Sequence, residues 1–86
     1  SMRVRLIFPG EIAREYVLDV SENEPLTHWV LRGKICNEFG IPEEYVVVMD
    51  SLGGQMVDLE HDQLLQAVIA GGEMVLLVGD SRSMSS

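Results

Sequence analysis

Asn37-Glu38-Phe39-Gly40-Ile41-Pro42-Glu43-Glu44-Tyr45-Val46-Val47-Val48-Met49 sets a helix stop directly before a strand. Gly40 can take the left-handed conformation that closes a helix, and the ring of Pro42 keeps the helix from resuming. The β-branched run that follows is apolar on both faces, as in a strand at the middle of a sheet. The fold is read outward from this boundary.

Upstream of Gly40 the pattern predicts a helix over residues 25–39. Ser21 or Asn23 supplies the cap, Glu22 and Glu24 suit the positive end of the dipole, and Pro25 fits the first turn. At about 100° per residue the apolar positions divide into two arcs. Leu26, Trp29, Val30 and Cys36 form one, and Leu31, Ile35 and Phe39 the other. One arc must face the sheet, while the second is either exposed or covered by a partner.

Before the helix, Met2, Val4, Leu6 and Phe8 alternate with Arg3, Arg5 and Ile7, the period-two pattern of a half-buried strand. Pro9-Gly10 marks a turn, and the alternation returns with Tyr16, Leu18 and Val20 inward and Glu15 and Asp19 outward. Together they predict an N-terminal hairpin with both arginines on its open face. After the Val46 run come a turn at residues 50–54, a return strand at 55–59, a short helix at 63–70 and a last apolar strand at 74–78, expected beside the first.

The chain has 86 residues, 47% hydrophobic and 23% charged, which fits one folded domain and excludes disorder by composition. Its formal net charge is −8 with only six Lys and Arg, so nucleic acid and anionic membranes are not expected partners. The single cysteine, Cys36, precludes an intrachain disulfide and is compatible with a reducing, cytoplasmic setting. Residues 2–80 are expected to form the domain. The serine-rich residues 81–86 are expected to be a disordered tail or the start of a linker to a larger protein.

The opening Met-x-Val-x-Leu strand, Leu18-Asp19-Val20 and Gly40-Ile41-Pro42-Glu43-Glu44 resemble the ubiquitin-like β-grasp family. That resemblance implies an α+β fold: a mixed sheet of four to five strands packed on one main helix, with a second short helix. It also implies that Leu31 and Ile35 touch the sheet, which moves Trp29 outward. A lone tryptophan on an amphipathic helix would otherwise be placed in the core.

Relatives that act as carriers use a terminal glycine, whereas this sequence runs through Gly79-Asp80 into serines, and its Leu52-Gly53-Gly54 sits in a turn. A ubiquitin-like carrier processed at its C-terminus is the alternative of another class. The chain is also similar to the PB1 branch, which pairs an acidic turn with a basic first strand. Asp50, Asp58, Glu60 and Asp62 stand where the cluster would fall and Arg3 and Arg5 where the bases would, but Leu52 and Gly54 occupy positions that motif gives to carboxylates. Met56-Val57-Asp58-Leu59 followed by Asp62-Gln63-Leu64 is similar to N-terminal ubiquitin-like domains of cytoskeletal scaffolds.

Catalytic chemistry finds little support. Cys36 and His28 are eight positions apart on the expected helix, about 12 Å along its axis, too far for a nucleophile and its base. His61 with Asp58, Glu60 and Asp62 is the one acidic-histidine cluster, and charges around a helix cap account for it better than a metal does. The expectation is therefore no enzyme, no cofactor and no metal.

What remains is a noncatalytic protein-protein interaction module of a scaffold or adaptor, with a PB1-like self-associating domain as the alternative. Its candidate partner-binding residues are Arg3, Arg5, Trp29, Val30, Cys36, Asp50 and Asp58. The two arginines suit a short acidic segment, and the Trp29 arc with Gly33 suits an apolar contact.

Overall fold

The computed structural model describes residues 2–21, 23, 26–51 and 72–84. Strands β1 (Met2–Phe8) and β2 (Arg14–Val20) pair antiparallel, from Met2 opposite Val20 to Phe8 opposite Arg14. The alternation read from the sequence holds, with Met2, Val4, Leu6, Leu18 and Val20 buried on one face. Helix α1 (His28–Phe39) packs on that face, and a 3₁₀ turn (Glu43–Tyr45) leads into β3 (Val46–Asp50).

Strand β4 (Gly72–Asp80) lies beside β1, as expected, and runs parallel to it from Met2 opposite Gly72 to Ile7 opposite Leu77. Its other edge pairs antiparallel with β3, giving the order β2-β1-β4-β3. Among the described residues the result is an α+β arrangement: a mixed four-stranded sheet, one main helix and a short terminal helix, α2 (Ser81–Met84).

The helix differs from its expected course at its start. It begins at His28, because Thr27 rather than Ser21 or Asn23 is the cap: Thr27 is extended and its hydroxyl accepts from the Val30 amide at 3.3 Å. Leu26 therefore precedes the helix and is buried in the core, so it does not share the Trp29 arc. At the other end Gly40 is left-handed, with φ 72°, and donates to the Cys36 carbonyl. That turn sends Ile41 back into the core.

Among the described residues strand β3 pairs with β4, at one end of the strand order. Its Val46, Val47 and Val48 are nonetheless all buried, because both faces are covered. Residues 81–84, read as part of a disordered tail, form one helical turn. Asp80 accepts from the Arg82 amide and guanidinium, and that guanidinium lies 4.3 Å from the Tyr45 ring centroid. The return strand at 55–59 and short helix at 63–70 lie outside the described residues.

Leu31, Ile35 and Phe39 face the sheet and are buried among Val4, Leu6, Leu76 and Val78. Removing either Leu31 or Ile35 side chain would leave a cavity worth about 2–5 kcal/mol. Arg14 locks the C-terminal end of α1: its guanidinium donates to the Phe39 carbonyl at 3.1 Å and lies 5.1 Å from the Phe8 centroid and 5.5 Å from that of Phe39. The two rings stack 6.0 Å apart. A cation at this helix end meets both the dipole and the ring faces.

Arg14→Ala should lower unfolding free energy by about 1–2 kcal/mol. Arg14→Lys should restore only part of it, since an ammonium cannot stack as a planar guanidinium does. Urea denaturation of both variants measures the difference.

Candidate protein-interaction surface

With Leu31, Ile35 and Phe39 turned inward, the helix presents its other arc to solvent. Trp29 is 72% exposed and Val30 48%, while Gly33 and Cys36 are half-buried. Trp29 and Gly33 are one turn apart on one line of the helix surface, as i and i+4 neighbours. The fold thus gives the tryptophan to the surface, as counting back from Gly40 implied.

The 3₁₀ turn adds a group to this arc that the sequence did not single out. A Cβ built at Gly33 would lie 3.6 Å from Glu43 Oε1, so the Glu43 carboxylate sits over the glycine. Arg32 holds the turn in place by donating to the carbonyls of Glu43 and Val46 at 3.1 and 3.2 Å. Among the described residues no cation comes within 4.0 Å of that carboxylate. The local signal was Pro42, which sets the turn that folds Glu43 back along α1.

The sheet's open face carries the other candidates. Arg5 is held by two carboxylates of its own sheet: Nε is 2.6 Å from Glu15 Oε1 and Nη1 is 3.3 Å from Glu73 Oε1. This follows from register, since β1 is flanked by β2 and β4. The hydrogen bond to Glu15, then that to Glu73, raises the Arg5 pKa further, and the same bond from Arg5 pulls Glu15 below its usual value. Arg3 is looser, 4.0 Å from Asp19 with a 60% exposed side chain. It borders an open depression lined by Met2, Asp19, Gly72 and Glu73.

The candidates do not form one site. Trp29, Val30 and Cys36 share the outer side of α1, whereas Arg3 and Arg5 lie across the sheet from it. Asp50 ends β3, half-buried, and Asp58 with the rest of the acidic-histidine cluster lies outside the described residues. Among the described residues no group of three His, Cys, Asp or Glu side chains could hold a metal ion, and no helix is long and apolar enough to cross a membrane. No protein-family model and no curated protein matches the sequence.

The ion pairs fix a pH dependence. Glu15 is lowered by its bond from Arg5, and Asp80 by its bond from Arg82. A carboxylate with a depressed folded pKa adds stability above its unfolded pKa, and this is lost as pH falls through the folded value. Stability should hold from neutral pH to about 5 and decline below about 4. Arg5→Gln should flatten part of that decline, as read from urea midpoints across the acid range.

Proposed function

We propose that this chain is a noncatalytic, ubiquitin-like β-grasp module of a larger cytoplasmic scaffold or adaptor, which binds a protein partner through the outer face of α1. The exposed Trp29 carries this reading. Burying a tryptophan is strongly favourable, tryptophan is enriched at interface hot spots, and this helix already fills the core with Leu31, Ile35 and Phe39. The mixed sheet, with its first and last strands parallel and adjacent and a helix across one face, is compatible with the β-grasp.

The sheet's open face is the weaker candidate. An acidic segment there would have to displace Glu15 and Glu73 from Arg5, leaving Arg3 as the more accessible cation.

The test is site-specific photo-crosslinking of the full-length protein in its own cells, with the photoreactive residue at position 29 or at position 17 on the sheet. Position 29 should yield a discrete protein adduct that Val30→Arg abolishes without shifting the unfolding midpoint. An adduct formed equally from position 17, or none from position 29, overturns the reading. Trp29→Ala should reduce stability by less than about 1 kcal/mol, against about 2–5 for Leu31→Ala, in thermal melts.

A further inference from the structure

Gly33 stands in the middle of α1, where glycine weakens a helix by about 1 kcal/mol relative to alanine. Nothing among the described residues requires it. Its φ is not positive, and among the described residues an added Cβ would meet only the Glu43 carboxylate, at ordinary contact distance. The position therefore departs from local helix preference without a packing reason among the described residues, as functional sites do. On either side of it are an exposed apolar pair, Trp29 and Val30, and an exposed carboxylate, Glu43.

Building on the proposed interaction role of this face, we propose that it takes a basic amphipathic α-helix of a partner protein. That helix crosses α1 at Gly33, packs an apolar residue on Trp29 and Val30, and sets an Arg or Lys against Glu43. A glycine at the crossing leaves room beside the Glu43 carboxylate for the partner's basic side chain, and the apolar pair supplies the buried area.

Charge selects the partner. Arg14, Arg32 and Arg5 are engaged with groups of the fold itself, and the chain carries −8 overall. The field met by an approaching helix is therefore negative, with Lys34 the one basic residue exposed on α1 among the described residues. A second copy fits poorly. Two α1 helices crossing at Gly33 under twofold symmetry would bring both Glu43 carboxylates to the same crossing and two net charges of −8 together.

The test uses two synthetic helical peptides with the same leucine stripe, one flanked by arginines and one by glutamates, titrated into the isotopically labelled chain and followed by amide chemical shifts. The arginine peptide should perturb Trp29, Val30, Gly33 and Glu43. Glu43→Arg should weaken its binding at least about tenfold, as expected on removing one partner of an interfacial charge pair. Gly33→Ala should also weaken binding while making the chain more stable in urea, a pairing that a purely structural glycine would not give.

Equal binding of both peptides at this face overturns the charge selection and leaves the face as an interaction surface. Shifts confined to the sheet overturn both readings. Sedimentation of the peptide-free chain as a dimer that Gly33→Ala dissociates assigns the face to a second copy and overturns the basic partner.

Discussion

The parallel pairing of β1 with β4 is the constraint on which the rest depends. It joins Met2 to Gly72 and Ile7 to Leu77, so the two central strands come from near opposite ends of the chain. Everything between them must fit within the loop they close. The hairpin partner β2 hangs on one side, β3 on the other, and α1 crosses the inner face. Because loop closure grows only slowly more unfavourable with length, the long segment is tolerable, but the contacts that reward it form late. Val4, Leu6, Leu76 and Val78, all buried at this junction, hold it together.

Much of this order was legible because its signals are local. Alternation in residues 2–8 and 14–20 depends only on which face meets the core, and Gly40 and Pro42 mark a helix end whatever lies around them. The inward choice of Leu31 and Ile35 came from resemblance, and the geometry agrees with it. What was missed depends on contacts distant in sequence. Leu26 is held out of the helix by the core, which shifts the start to Thr27. The turn at Ser81–Met84 depends on Asp80 and on Tyr45, a ring on the far side of the neighbouring strand's start.

The candidate surface was legible in part. Trp29 and Val30 belong to one arc of any helical projection, but Glu43 joins them only through the 3₁₀ turn, and no spacing rule connects positions 33 and 43 across a left-handed glycine. The arginines show the converse. Arg3 and Arg5 were read as available charges, yet Arg5 is flanked by strands that each bring a carboxylate to it. In a strongly acidic chain, cations placed between strands become part of the sheet.

Gly79 has a different consequence. It lies on the sheet's outer face opposite Val47, and Met84 and Met49 meet over it, Met84 Sδ standing 3.2 Å from where a Cβ would be. The helical turn after β4 is thus a tethered occupant of that part of the sheet. A tether of so few residues corresponds to an effective concentration in the millimolar range or above, on the order of that for short linkers. Any outside ligand for the β3–β4 end of this face binds in competition with the chain itself.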